Sequence, residues 1–172
     1  MNSYAISTGI MDLATTASGS VIASLTNPAA SGRNVILKNV SAKGDFVGTP
    51  GVTRVIININ RANGTPAAGS GSKTGSNIPK RAAGCADSIA QFFFGPTPIT
   101  GLNDLATEGI MKAWSIPSQV GTTVDADLIE DVKNIQETDC IVIVPGTSIV
   151  VRLGSISIAG SGAGFDFEWS EQ

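Results

Sequence analysis

The chain has 172 residues, enough for a single domain that buries roughly 70% of its unfolded surface without a metal or a disulfide. Hydrophobic residues make up 42% and charged residues only 15%, against about 25% charged in an ordinary globular domain, which excludes a disordered tail. There is no histidine, so Ser-His-Asp triads, Cys-His nucleophiles and HExxH zinc sites are excluded, and the net charge of −3 is the wrong sign for a nucleic-acid binder.

Residues 1–33 are rich in Ser, Thr, Ala and Gly and end in the turn cluster Asn27-Pro28-Ala29-Ala30-Ser31-Gly32. Their apolar residues keep neither the helical nor the strand period, which predicts an extended N-terminal arm, or a first strand packed on something else. Met1 to Ala17 has neither the basic start nor the apolar core of a secretion signal, so Cys85 and Cys140 are expected as two reduced, buried thiols. The longest apolar run, Ile141 to Val144, is far too short for a membrane span.

Residues 34–172 read as a β-sandwich domain. Asn34 to Lys43 and Val52 to Ala62 are predicted to be partner strands joined by Gly44 to Gly51. In the second, Val55, Ile57 and Ile59 share one face, with Arg54, Asn58 and Asn60 on the other and Ile56 as the exception. Ala62 to Gly84 is a long break full of Gly and Ser, expected as a mobile surface loop. Ser88 to Thr100 carries Phe92-Phe93-Phe94, and these rings cannot all face one side of a strand. One of them is therefore expected to point away from the core, with subunit contact as the simplest use. Gly109 to Pro117, around Trp114, is a further strand candidate.

Asp125 to Gln136 has Leu128, Val132 and Ile135 at helical spacing and is the one helix candidate, with a polar strand or loop as the alternative. Cys140 to Val144 and Ser148 to Leu153 flank Pro145-Gly146, the residues for the middle of a type II turn between two strands. Ser155 to Ala159 follows. The ending alternates Phe165, Phe167 and Trp169 against Asp166, Glu168 and Ser170, as a half-buried strand does. Seven to nine short strands and at most one short helix predict an all-β, jelly-roll-like antiparallel β-sandwich.

No motif specifies chemistry. Gly69-Ser70-Gly71-Ser72-Lys73-Thr74 lacks the glycines a phosphate loop needs, with Ser72 before the lysine and Ala67 where the first glycine belongs. The acidic stretch Asp125, Asp127, Glu130, Asp131, Glu137, Asp139 fails the EF-hand spacing at Ile129 and Glu130. A hydrolase using only carboxylates such as Asp125, Asp127 and Glu130 would need a desolvated acid, and a solvated acidic face does not supply one. Lys73, Lys80 and Arg81, with Arg61 before them, make a modest basic spot suited to solvent or to an acidic partner. No catalytic, cofactor-binding or metal-binding residue is expected, nor any nucleic-acid or membrane partner. The low-charge surface and the Ile141-Val142-Ile143-Val144 strand predict a homo-oligomer, because such surfaces are safest when neighbours cover them.

Three segments carry a family resemblance: Asn34-Val-Ile-Leu-Lys-Asn-Val-Ser41, the turn Pro145-Gly146-Thr147-Ser148, and the aromatic, acidic ending Phe165-Asp-Phe-Glu-Trp-Ser-Glu171. With these, Asn34 to Glu171 resembles the small jelly-roll structural proteins of tailed-bacteriophage virions. The resemblance implies a non-enzymatic role, trimeric assembly and location in the virion. It points most directly to a capsid decoration (cement) protein held on the major capsid protein. The alternative within the same class is a tail, fibre or neck component that binds host glycans.

Overall fold

The computed structural model describes residues 2–13, 16–45, 47–48, 54–67, 69, 71–105, 110–117, 119–120, 141–154 and 162–172. Every regular element among them is a strand: β1 (Asn2–Ser7), β2 (Met11–Asp12), β3 (Val21–Thr26), β4 (Val35–Asp45), β5 (Val47–Gly48), β6 (Arg54–Ala67), β7 (Gly71–Gly75), β8 (Ser88–Asp104), β9 (Ile110–Pro117), β10 (Gln119–Val120), β11 (Ile141–Ile143), β12 (Thr147–Leu153) and β13 (Gly162–Glu171). The helix candidate Asp125 to Gln136, the strand candidate Ser155 to Ala159 and Cys140 lie outside the described residues.

One sheet has the order β1-β13-β4-β11, with β2 continuing the β1 edge along β13; the other has the order β7-β8-β3-β12-β6-β9. Neighbours in both are antiparallel, while β10 and β5 form a small parallel pair. Taken in chain order, β1, β3, β4, β6, β9, β11, β12 and β13 give four-stranded sheets of order first-eighth-third-sixth and second-seventh-fourth-fifth. That connectivity is the double Greek key of a jelly roll. Strands β7 and β8 are inserted between β6 and β9 and extend the second sheet beyond β3.

Three local expectations change in this frame. β4 and β6 are strands, as their alternation predicts, but they belong to opposite sheets. Alternation fixes which face of a strand is buried and leaves its neighbour open. The Pro145-Gly146 turn forms as predicted, with Thr147 N–H donating to Val144 O at 3.1 Å and Gly146 at φ +83°. It carries the chain from β11 in one sheet to β12 in the other, so it is a corner and not a hairpin. An unprimed turn splays its flanking strands, which suits that geometry. Finally, residues 1–33 do not stand apart as an arm. They supply β1, β2 and β3, and β3 lies between β8 and β12 inside the second sheet.

The main core fills the space between the sheets. Ile6, Leu13, Leu25, Leu37, Ile57, Phe92, Ile149, Val151, Phe165 and Phe167 are buried there around Trp169 and Tyr4. Tyr4 stacks on Trp169 at 5.7 Å between ring centroids, and Phe92 meets the edge of Phe167 at 5.0 Å. Such pairs add about 0.5–1.5 kcal/mol each beyond the area they bury.

A second, smaller core of Val21, Ala62, Phe93, Ile99, Leu102 and Val150 lies apart from the first. It exists because β8 bends after Phe94, so that Leu102 to Asp104 pair with Ala62 to Gly64 of β6 and close a ring β8-β3-β12-β6. At the crossing, Gly64 (φ +111°) and Gly101 (φ +78°) press backbone on backbone. A Cβ at either would sit 2.2–2.3 Å from a carbonyl oxygen of the other strand. The phenylalanine triplet follows the same logic. Phe92 enters the main core and Phe93 the second, while Phe94 stacks on Phe92 at 5.6 Å against the bare backbone of Gly71. Phe94 is therefore the ring that stays outside the two cores, half-buried against the edge of the main one.

Candidate functional site

The most concentrated polar site is built on the last residue of β13. The two-residue period that turns Phe165, Phe167 and Trp169 inward continues to Glu171, which is left only 3% exposed. Its carboxylate accepts from Ser88 Oγ at 2.6 Å, from Ile89 N–H at 3.0 and 3.2 Å, from Ala90 N–H at 3.2 Å and from the Trp169 indole N–H at 3.4 Å. One charged group thus satisfies the first amides of β8 and ties the inserted strand to the opposite sheet. The phenol of Tyr4 lies beside it and donates to Ala86 O at 2.9 Å. Burial pushes the Tyr4 phenol up to about 12, with the Glu171 carboxylate and the Cys85 thiol adding to it and Arg33 pulling weakly the other way. Sequence reasoning missed Glu171, although continuing the alternation by one step from Trp169 would have found it.

A second site joins β12, β8 and β6. Arg152 holds Asp104 with a fork, Nε at 2.9–3.0 Å and Nη2 at 2.7 Å, and its Nη1 reaches Gly19 O at 2.6 Å. Asn60, expected on the exposed face of its strand, is buried and donates to Asp104 Oδ2 at 3.0 Å. Between the neighbouring strands β3 and β12 of the second sheet, Ser24, Thr26 and Ser148 form a buried hydroxyl chain with contacts of 3.0 and 2.8 Å. Asn27 donates 2.8 Å bonds to Arg33 O and to Ile143 O, pinning the β3–β4 turn to β11. The donors of these groups hold strands together, while the side-chain oxygens of Asn27 and Asn60 are buried without a hydrogen-bond partner.

The residues singled out from sequence fall as follows. Gly71–Gly75, expected as part of a mobile loop, is the edge strand β7 paired with β8, with Lys73 exposed on it and no helix after it. Lys80 pairs with Asp87 at 2.8 Å and Arg81 with Glu168 at 2.5 Å, so two cations of the basic spot are engaged within the chain. Arg61 belongs to β6, where it pairs in register with Ile149. Cys85 is a free, half-buried thiol. The acidic stretch Asp125 to Asp139 and the side chain of Trp114 lie outside the described residues. Exposed apolar side chains do occur at the inter-sheet corner, where Val142 is 36% and Val144 44% exposed beside Pro145.

No family model matches the chain, and no curated protein or solved structure matches it either.

Proposed function

We propose that this chain is a non-enzymatic structural protein of a tailed-bacteriophage virion, acting as a capsid decoration protein on the head. The observation that carries the proposal is the jelly-roll connectivity itself, closed by Glu171 and by the Asp104–Arg152 pair. The best-buried carboxylate is surrounded by the chain's own donors, as suits a rigid building block more than a reaction centre. The resemblance of Asn34 to Glu171 to virion jelly rolls points the same way, as does a surface poor in charge. Attachment would rest on many modest apolar and polar contacts, to which the exposed Val142 and Val144 corner contributes.

The test is co-sedimentation of the purified protein with cognate heads. The V142S/V144S chain is expected to keep its β-sheet circular dichroism and to lose at least half of its bound fraction. No binding of the wild-type protein to heads would refute the proposal. Removing residues 1–32 takes β3 out of the middle of a sheet, so that deletion is expected to unfold the sandwich.

A further inference from the structure

Sheet edges are templates for pairing with another chain, and proteins guard them with charge, proline, bulges or a covering segment. Strand β1 is the outer strand of its sheet, and its outward side chains Ser3, Ala5 and Ser7 are small and uncharged. The strand carries no lysine and no proline. Its guard is a separate piece of chain. Arg81 N–H donates to Ser3 O at 2.9 Å and Ala5 N–H donates to Pro79 O at 3.4 Å, setting Lys80 opposite Tyr4 in a short antiparallel bridge. Alternate residues of an antiparallel strand direct both backbone groups to one side, so Ser3, Ala5 and Ser7 are the residues that face this segment.

The covering segment is anchored at its ends and loose between them. Ile78 and Ser88 are buried, while residues 79–84, 86 and 87 are exposed and Cys85 is half-buried. Besides the two backbone bonds, it is held by the Tyr4 hydroxyl on Ala86 O and by Arg81 on Glu168. The second ion pair, Lys80–Asp87, lies within the segment itself. Both pairs are surface pairs, with Arg81 and Glu168 side chains 50% and 34% exposed, and exposed pairs hold little.

We propose that residues 79–87 form a strap over a latent pairing edge, and that a second copy of this chain pairs with β1 when the strap lifts. The occupant is argued from self-complementarity. Antiparallel pairing of two β1 strands about a two-fold axis at Ala5 sets Ala5 opposite Ala5 and Ser3 opposite Ser7. Small side chains then meet on the outward face, Tyr4 comes opposite Ile6 on the core-facing side, and about six backbone hydrogen bonds form where the strap makes two. The charges that keep the edge closed, Lys80 and Arg81, leave with the strap. The inference is independent of where in a particle the protein sits.

Arg81→Pro removes the N–H that reaches Ser3 O together with the partner of Glu168. At tens of micromolar, sedimentation velocity should give this variant twice the wild-type mass, with β-sheet circular dichroism retained. Adding Ala5→Pro removes the outward donor at the centre of the new pair and should restore the wild-type mass. A folded R81P chain of wild-type mass would overturn the proposal, and so would a doubling that survives A5P. Should R81P fail to fold, inserting Gly-Ser between Ala83 and Gly84 lengthens the strap without removing a residue. The same doubling supports the proposal and an unchanged mass overturns it.

Discussion

Replacing Glu171 by alanine removes the carboxylate that four donor groups share: the Ser88 hydroxyl, the Ile89 and Ala90 amides and the Trp169 indole. The site is 3% exposed, so water does not readily take over. The serine hydroxyl can rotate to another acceptor, whereas the two amides and the indole cannot. A buried donor left unpaired costs about 1–3 kcal/mol. The Trp169 bond is long at 3.4 Å and the Ile89 amide is only part-buried, so both count at the low end and the sum is about 3–5 kcal/mol. That is a large share of the roughly 5–15 kcal/mol by which a domain of this kind is stable. At about 2–4 °C per kcal/mol for this chain length, the melting temperature should fall by about 6–20 °C. Glu171→Gln can keep the four contacts of Oε1 on its amide oxygen and turns its N–H₂ only toward the Ile89 N–H that Oε2 accepts, so about 1–3 kcal/mol is expected. Urea unfolding followed by tryptophan fluorescence measures both. An E171A midpoint within the error of the wild type, at unchanged slope, would refute the assignment of Glu171 as the tie between β13 and β8.

Tyr4 gives an alkaline signature. Burial holds its folded pKa at about 12, above the 10.0 of a free phenol, so its contribution to stability is complete below pH 10 and is lost as pH rises toward 12. Urea midpoints at pH 9 and pH 11.5 should therefore diverge more in the wild type than in Y4F, and equal divergence would count against the buried phenol. Gly101→Ala forces a Cβ to within 2.3 Å of Thr65 O, so the variant is expected to be insoluble or to lose several kcal/mol in a melt. Phe93→Ala should cost about 3–5 kcal/mol in chemical denaturation if Phe93 fills the second core, and under about 1 kcal/mol if the ring were exposed. Asp104→Asn breaks the fork from Arg152 at a partly exposed site, and about 1–2 kcal/mol is expected in the same assay.

Much of this fold can be read from residue order, and the parts that cannot have physical reasons. β13 announces itself because Phe165, Phe167 and Trp169 alternate with polar residues, of which Asp166 and Glu168 sit half-buried on the other face. The Pro145-Gly146 turn is equally legible, since both residues demand particular backbone angles. β3 gives no such signal. Val21–Thr26 is buried on both faces, and its polar members Ser24 and Thr26 are accommodated by a hydroxyl chain rather than by exposure. β7 is silent for the opposite reason: Ser72, Lys73 and Thr74 are exposed, and the strand is held by its backbone ladder to β8. The Asp104–Arg152–Asn60 site joins residues from three strands far apart in the chain, and only tertiary pairing brings them together. The assignment of strands to sheets has the same origin, because face patterns are local and neighbours are not.

The proposed role is decoration of a phage head. Electron cryomicroscopy of purified virions carrying the protein tests it most directly. Symmetry-related density of jelly-roll size, fitted by the two sheets, is expected on the outer surface of the head. Density only on the tail, or the absence of the protein from purified particles, would contradict it.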